Sequence, residues 1–227
     1  LQQLKLAALG RLTANIAHEI RNPLSAINHA AELLEEEQLT NNTNSRLIRI
    51  ICDNTQRLNK IVQDILQLNR RNISKLDVVH ASEFTRAFLE EFCYVEKIDR
   101  NVFLLNSSHD YLIHFDRDHL NQILWNLCRN AWRHCRKQAG SIHIELSTGA
   151  NENNIHLDIF DDGPGVDPQQ LKQIFEPFFT TASSGTGLGL YIAREMCETN
   201  HASLEYIENP TGGHFRITCK ITDPANE

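Results

Sequence analysis

The 227-residue sequence predicts an α-helical hairpin followed by an α+β sandwich domain. Apolar residues repeat with helical spacing up to Leu68, and after Asn72 short β-prone runs alternate with helical stretches. The composition, with 41% hydrophobic and 22% charged residues, is that of an ordinary globular protein. We therefore expect two domains, at residues 1–72 and 73–227.

The hairpin is predicted from a seven-residue repeat of apolar side chains. One row begins at Leu9 and a second at Thr13, and after a polar segment at residues 38–44 the spacing resumes from Leu47 to Leu68. Two such amphipathic helices with a short connection form an antiparallel pair. Each helix has only one apolar stripe, so we expect a second copy of the chain to complete a four-helix bundle, which makes the protein a homodimer.

The second domain is predicted as one sheet with helices on one face. The expected strands lie at 75–79, 102–106, 111–115, 141–147, 155–160, 203–207 and 214–221. The expected helices lie at 82–95, 116–137 and 187–200.

Charge and cysteine content exclude several classes of protein. The net charge of −7 provides no global positive field for nucleic acid or an anionic membrane. Six widely spaced cysteines without a CxxC pair indicate reduced thiols in an intracellular protein. No apolar stretch reaches the roughly 18 residues of a membrane span. Because Leu1 already lies inside a helical pattern, we expect the chain to be part of a longer protein.

His18 is the first candidate for chemistry, in the segment HEIRNPL within the first predicted helix. Helical geometry places it nearly opposite the apolar stripe, and Glu19 can accept a proton from one ring nitrogen, which leaves the other as a nucleophile. Asn22 lies one turn further on, and Pro23 is expected to bend the helix. A lone exposed histidine is more often only a solvated side chain.

A second group lies in the predicted helix 116–137. Asn126 and Asn130 share a helix face, where amide oxygens can help to hold Mg²⁺ together with phosphate and water, and Arg133 can reach the same phosphates. Asparagine is mildly unfavourable within a helix, so two on one face require an explanation beyond capping.

Two glycine-containing segments complete the candidates. Asp161, at a strand end before Gly163 and Gly165, can accept a hydrogen bond from an exocyclic amine, although DDGPG taken alone is better explained as a plain β-turn. The segment GTGLGL at 185–190 opens a helix whose free amides can bind phosphate. Residues 175–181, FEPFFTT, are expected to anchor a mobile loop, and Gly212 and Gly213 to form a tight turn.

Together, HExRNPL, NxxxNA, DxGxG, FEPFFTT, GTGLGL and GGxF occur in the order typical of sensor histidine kinases of two-component signalling, which this sequence resembles over nearly its whole length. The details of FEPFFTT and GTGLGLYIARE are most similar to the nitrogen-regulation and pilus-regulation sensors. The resemblance implies a dimerisation and histidine-phosphotransfer hairpin, and an ATP-binding domain of the gyrase, chaperone and histidine-kinase superfamily. It implies ATP and Mg²⁺ as cofactors and a response-regulator receiver domain as partner.

The resemblance also implies roles for individual residues. His18 corresponds to the phosphoacceptor, Glu19 to its acid/base partner, and Asn22 to the residue that orients water for dephosphorylation of the regulator. Asn130 corresponds to the Mg²⁺ ligand. The remaining nucleotide contacts implied are Asn126, Arg133, His134, Asp161, Gly163, Gly165, Thr180, Thr181, Gly185, Thr186, Gly187, Leu188 and Gly189.

One departure and several alternatives accompany this hypothesis. Ala182, Ser183 and Ser184 stand where many relatives have a basic residue over the γ-phosphate. Arg133 is therefore expected to act alone, with either weak ATP binding or slow autophosphorylation as the result. The alternatives are a sensor dominated by phosphatase activity, a dimerisation module without catalysis, and a gyrase-like ATPase. The fragment is expected to be cytoplasmic, with any membrane contact made through an N-terminal sensor region outside it.

Residues 1–72 carry nine Lys and Arg against seven Asp and Glu, whereas residues 73–227 carry 13 against 22. The acidic half is expected to hold a polyanion through Mg²⁺, Arg133 and backbone amides, and the slightly basic hairpin to suit an acidic receiver.

Overall fold

A computed structural model describes residues 2–35, 41–70, 74–107, 109–149, 153–182 and 185–222. In the two long helices, the described side chains are those of Ile16, residues 19–34 and residues 43–66. The chain forms two compact units, one with residues 1–69 and 176–188, the other with residues 70–175 and 189–227. No helix in the described ranges is long and apolar enough to cross a membrane.

The first unit contains the predicted hairpin, made of α1 (Gln2–Glu35) and α2 (Asn41–Arg70). Arg57 Nη2 donates to Glu19 Oε2 at 3.0 Å, which sets the antiparallel register of the two helices. The predicted stripe is buried at Ala30, Leu47 and Ile61. The helix α1 continues through Pro23, and the predicted linker at residues 72 and 73 lies outside the described residues.

The second unit contains the following elements: β1 (Asp77–His80), α3 (Ala81–Glu96), a 3₁₀ turn (Arg100–Val102), β2 (Phe103–Ser107), β3 (Leu112–Phe115), α4 (Arg117–His134), β4 (Ile142–Thr148), β5 (Asn154–Asp161), α5 (Gly189–Thr199), β6 (Ser203–Tyr206) and β7 (Gly213–Lys220). Each predicted strand and helix of this domain is present, with small differences at the ends. The predicted fold class is therefore confirmed.

The prediction of a single sheet is wrong in one respect: the main sheet has the strand order β2-β4-β5-β7-β6, whereas β1 and β3 form a separate two-stranded sheet. The β2–β4 pair is parallel, whereas the other neighbours in the main sheet are antiparallel. Alternate residues of β5 are buried at Ile155, Leu157 and Ile159, and α4 packs against both β5 and α5. This core fixes the two positions that matter for a site, the end of β5 and the exposed side of α4.

The helix α4 begins at a well-defined cap. Asp116 Oδ1 accepts hydrogen bonds from the amides of Asp118 and His119, and its other carboxylate oxygen accepts one from the amide of Lys75. Burial by itself raises the pKa of Asp116, but these backbone donors outweigh it and lower the pKa below the ordinary value.

Five of the six cysteines are buried, and Cys52 is exposed. Burial raises the pKa of the Cys128 and Cys197 thiols, and that of Cys219 to about 12. All six are free thiols, and these three remain protonated and unreactive at neutral pH.

Candidate functional site

The residues predicted to bind nucleotide are divided between the two units. Those from α4, from the end of β5 and from the start of α5 belong to the second unit, and those between residues 176 and 188 belong to the first. Each set has a definite geometry within its own unit.

The end of β5 forms a carboxylate pocket around Asp161. The Asp161 side chain is buried, and its Oδ1 accepts hydrogen bonds from the amides of Gly163, at 3.0 Å, and Gly213, at 3.4 Å. The other oxygen, Oδ2, lies where a Cβ on Gly213 would be, and a Cβ on Gly163 would meet the carbonyl of His134. This arrangement of the carboxylate therefore requires glycine at both positions.

Burial raises the pKa of the Asp161 carboxyl group above its ordinary value, whereas the two amide donors and the nearby His134 act in the opposite direction. The Asp161 carboxylate is therefore a buried hydrogen-bond acceptor whose negative charge is only partly stabilised by its surroundings. An amine with hydrogen atoms to donate is the natural complement of such a group.

The DDGPG segment makes more contacts with the rest of the domain than a plain β-turn requires. Gly165 has a φ of +71°, a conformation that strongly favours glycine, and the Tyr206 hydroxyl accepts a hydrogen bond from the amide of Val166. Asp162 accepts hydrogen bonds from the Arg136 amide and the Ser141 hydroxyl. The loop after Asp161 is thereby fixed by contacts to β6 and to the segment after α4.

The candidate residues of α4 lie on its more exposed side. Asn126 and Asn130 are half-buried, and Arg133 and His134, in the last turn, are exposed. The Asn126 Nδ2 atom is buried and has no hydrogen-bond acceptor among the residues that the structure describes. A Cβ on Gly189, the first residue of α5, would lie 3.5 Å from Asn126 Oδ1. The predicted asparagine face therefore adjoins the N-terminus of α5.

An orphaned, buried amide donor costs about 1–3 kcal/mol, so it requires an explanation. A phosphate oxygen is an acceptor that satisfies Nδ2, and the N-terminus of a helix favours an anion. These observations fit the prediction that phosphate groups with their Mg²⁺ lie at this face.

In the first unit, the glycine-rich loop is hydrogen-bonded to the FEPFFTT segment. The Phe178 amide donates to the Gly187 carbonyl at 2.9 Å, and both residues have a positive φ, +70° and +68°. A Cβ on Gly187 would collide with the Phe178 backbone. Thr180 Oγ1 accepts from the Ala182 amide and occupies the place of a Cβ on Gly185. The FEPFFTT segment is thus folded against the glycine loop.

Thr186 and Leu188 are buried, whereas Thr180 and Thr181 are exposed. The Thr186 hydroxyl donates to Asp64 Oδ2 on α2 at 2.6 Å and accepts from the Leu188 amide at 3.4 Å. Ser183 and Ser184, where the basic lid residue is missing, lie outside the described residues.

In the hairpin, His18 lies on α1, and its side chain is outside the described residues, so its predicted exposure remains a prediction. Glu19 is half-buried and paired with Arg57, and Asn22, one turn after His18, is exposed. Glu19 therefore already has a cationic partner on α2.

Sequence reasoning missed four residues of these sites. Arg57 and Asp64 resemble ordinary polar residues of an amphipathic helix, and Tyr206 an ordinary strand residue. Gly213 was interpreted only as part of a turn, although the pairing of Asp161 with Gly213 across β5 and β7 makes it a wall of the pocket. The motif GGxF at a strand start was the available signal for Gly213.

Two family models match this chain. The His Kinase A (phospho-acceptor) domain matches residues 8–72, and the histidine kinase-, DNA gyrase B-, and HSP90-like ATPase domain matches residues 115–224. A phospho-acceptor hairpin joined to an ATPase domain defines a class of signalling kinase. The chain belongs to the sensor histidine kinases of two-component signalling, which are ATP-dependent protein histidine kinases.

Relatives support this assignment along most of the chain. Sensor protein kinase PilS of Pseudomonas aeruginosa is 43% identical over 220 residues, which cover 96% of this chain and 42% of PilS. Sensor histidine kinase ZraS of Salmonella typhimurium is 32% identical over 203 residues, which cover 88% of this chain and 43% of ZraS. The chain thus spans less than half the length of these two curated relatives.

Solved structures show the same fold. The histidine kinase ThkA, in a complex with the response regulator protein TrrA, superimposes with a TM-score of 0.72 and 26% identity, covering 99% of this chain and 65% of that chain. The Acinetobacter baumannii histidine kinase AdeS, at 19% identity, shares the fold with a TM-score of 0.66, covering 91% of this chain and 98% of that chain.

Proposed function

We propose that this chain transfers the γ-phosphoryl group of ATP to His18 and passes it on to an aspartate of a response-regulator receiver domain. In the first step a ring nitrogen of His18 attacks the γ-phosphorus, the bond to the β–γ bridging oxygen breaks, and ADP leaves. The domains that act are the proposed phosphotransfer hairpin, residues 1–72, and the proposed ATP-binding domain, residues 73–227.

The Asp161 pocket is the observation that carries this proposal. Its carboxylate is buried, glycines at positions 163 and 213 permit its close packing, and Oδ2 has no backbone donor among the described contacts. The exocyclic amine of adenine supplies a donor for such an oxygen. Gly163 and Gly165 shape the pocket, and His134, whose charge acts on Asp161, lies beside it.

The phosphates are assigned to the asparagine face of α4 and to the glycine loop. Asn126 supplies a donor to a phosphate oxygen, Asn130 supplies an oxygen to Mg²⁺, and Arg133 supplies a cation. The loop residues assigned to the nucleotide are Thr180, Thr181, Gly185, Thr186, Gly187, Leu188 and Gly189. Bound Mg²⁺ would neutralise charge on the phosphates, which an acidic domain cannot do with backbone amides alone.

A homodimer is supported by the unburied apolar surface of the hairpin. Leu24, Ile48, Val62 and Leu66 are between 46% and 53% exposed, and three of them lie on α2. Ile48 and Val62 are two heptads apart, so they form a second stripe beside the one that packs within the hairpin. A second copy of the hairpin would cover this stripe in a four-helix bundle.

A response regulator is the proposed phosphoryl acceptor after His18. The structure of ThkA was solved with the response regulator protein TrrA, and ThkA aligns with nearly all of this chain. Residues 1–72 carry a small excess of positive charge, which favours an acidic receiver domain.

Labelled ATP tests the first step directly. Incubation with γ-labelled ATP and Mg²⁺ should give acid-labile, base-stable label on the chain, and His18→Gln should abolish it. His29→Gln is the matched control, because His29 is an exposed histidine of the same helix, eleven residues and about three turns further on. Label that survives His18→Gln contradicts the proposal.

Dephosphorylation of the regulator is a second candidate activity, favoured by the exposed amide of Asn22 one turn after His18. An exposed amide at this position can orient a water molecule towards a docked phosphoaspartate. Asn22→Ala should slow regulator dephosphorylation while leaving labelling of His18 unchanged. Equal dephosphorylation rates for the two proteins would exclude this role.

A further inference from the structure

The hydrogen bond between Thr186 and Asp64 connects two parts of the chain that lie 122 residues apart. Both residues belong to the first unit, which groups residues 176–188 with the hairpin. Thr186 is only 5% exposed and Leu188 is fully buried. The loop side of this contact is therefore shielded from water, whereas Asp64 is half-buried.

The contact holds the glycine loop away from the level of His18. The Glu19–Arg57 pair places residues 19 and 57 opposite each other, so Asp64 lies opposite position 12 of the antiparallel partner. Position 12 precedes His18 by six residues, which is about 9 Å along a helix axis. A loop fastened to Asp64 is therefore displaced along the hairpin from the proposed phosphoacceptor.

The same contact opposes phosphate in the loop. Thr186 Oγ1 accepts from the amide of Leu188, which is one of the amides assigned to the phosphates, and it donates to an anionic carboxylate. A triphosphate in the loop would bring like charge close to Asp64 and would require the Leu188 amide for itself. Nucleotide binding and the Asp64 contact therefore disfavour each other.

We propose that Asp64 is a positioning residue that holds the glycine loop in a resting state through Thr186 and thereby competes with ATP. This inference rests on the proposed nucleotide site. Release of Thr186 must accompany nucleotide binding, so the contact lowers the apparent affinity for ATP. Once ATP is bound, the contact is already broken and no longer affects the rate of transfer.

Steady-state kinetics of autophosphorylation, measured on the whole chain, test this inference. Asp64→Ala should lower KM for ATP about tenfold, the size expected for loss of a hydrogen bond to a charged group, and should change kcat less than twofold. Asp64→Asn keeps an acceptor for Thr186 without the charge, so its KM should lie between those of wild type and Asp64→Ala. Asp53→Ala is the control: it removes a carboxylate from an exposed position of the same helix, about three turns away, and should leave KM unchanged.

A double-mutant cycle tests whether Asp64 acts through Thr186. Thr186→Val removes the hydroxyl donor, and in this background Asp64→Ala should have little further effect on the affinity for a non-hydrolysable ATP analogue. Thr186→Ser keeps the donor and should preserve the full effect of Asp64→Ala. An effect of Asp64→Ala that is equally large in all three backgrounds overturns the inference.

Two further outcomes separate this inference from the proposed function. If Asp64→Ala and Asp64→Asn bind the analogue with wild-type affinity while wild type labels His18, only the resting contact is wrong. If the analogue binds more tightly to both variants but no protein is labelled, the contact is supported and the phosphoacceptor assignment fails. A fall in kcat without a fall in KM also contradicts the resting role.

Discussion

Gly213 and Asp161 face each other across the β5–β7 ladder, and the Asp161 carboxylate occupies the space in which a side chain on Gly213 would begin. The Gly213 amide also donates to Asp161 Oδ1 at 3.4 Å. The absence of a side chain on one strand thus permits a buried carboxylate on the next. This relationship makes a turn glycine part of the proposed nucleotide site.

Gly213→Ala adds only one methyl group, but it should lower both the stability of the protein and its affinity for ATP. The added Cβ would meet a buried carboxylate, so Asp161 would have to rotate and lose its amide donors. We expect a loss of about 1–3 kcal/mol in the free energy of unfolding and at least a roughly tenfold loss of ATP affinity. Chemical denaturation and calorimetric titration measure the two effects.

Gly149→Ala is the matched control. Its Cβ would meet the imidazole end of His156, which can move, and would lie 3.3 Å from the backbone carbonyl oxygen of Asn154, so its loss of stability should be smaller than that of Gly213→Ala. Equal effects of the two substitutions would contradict the steric account of Gly213.

Asp161→Asn should separate stability from nucleotide binding. The amide oxygen can retain the bonds from Gly163 and Gly213, while the amide nitrogen takes the place of Oδ2 and presents hydrogens towards an amine. We expect a loss of adenine nucleotide affinity of about tenfold or more. Because the folded protein raises the pKa of Asp161 by burial, the variant should be more stable than wild type at neutral pH.

The pH dependence follows from the sign of this shift. A carboxyl group with a raised pKa in the folded state favours folding below its ordinary pKa, and this contribution is lost as the pH rises through the raised value. The stability advantage of Asp161→Asn should therefore shrink as the pH is lowered from 7 towards about 4. Thermal unfolding of both proteins between these pH values measures it, and an advantage that grows towards acid pH would contradict burial as the cause.

The helices and strands could be predicted from the sequence because the spacing of apolar residues in each element matches the side that is buried. In β5, Ile155, Leu157 and Ile159 alternate towards the helices and are buried. Asp158 lies on the other face of the strand, where the same alternation predicts an exposed side chain. It is nevertheless only 2% exposed. His214 and Arg216 of the neighbouring β7 cover and bind its carboxylate, a contact between strands that no local pattern contains.

The same distinction applies to the candidate site. Asp161, Asn126 and the glycine loop stood out because their residue types are unusual for a strand end, a helix interior and a helix start. The contacts of Asp161 with Gly213 and of Thr186 with Asp64 join residues 52 and 122 positions apart. Such pairs depend on strand order and on loop packing, so spacing along the chain cannot identify them.

Asn126→Leu should stabilise the chain in the absence of nucleotide and weaken nucleotide binding. The substitution removes the buried Nδ2 donor that has no acceptor, and it keeps a side chain of similar size on α4. We expect a gain of about 1 kcal/mol in the free energy of unfolding, together with a smaller thermal shift on addition of an ATP analogue and Mg²⁺.

Asn121→Leu, at a half-buried position of the same helix, controls for the change in helix propensity and should leave the ligand-induced shift unchanged. Removal of Mg²⁺ by a chelator should abolish most of the shift in wild type. A destabilised Asn126→Leu protein with an unchanged shift would contradict the proposed role of this amide.

Arg57→Ala should reduce autophosphorylation without a comparable loss of stability. Arg57 holds the carboxylate of Glu19, the proposed proton acceptor for His18, at 3.0 Å, and both side chains are at least one quarter exposed, so the pair contributes about 1 kcal/mol or less to stability. We expect a rate loss of about tenfold, because Glu19 loses the partner that orients it. Arg57→Lys should recover part of the rate, and Arg49→Ala, at an exposed arginine of the same helix, should have none of this effect. If Arg57→Ala slows labelling equally in a Glu19→Gln background, the arginine does not act through Glu19.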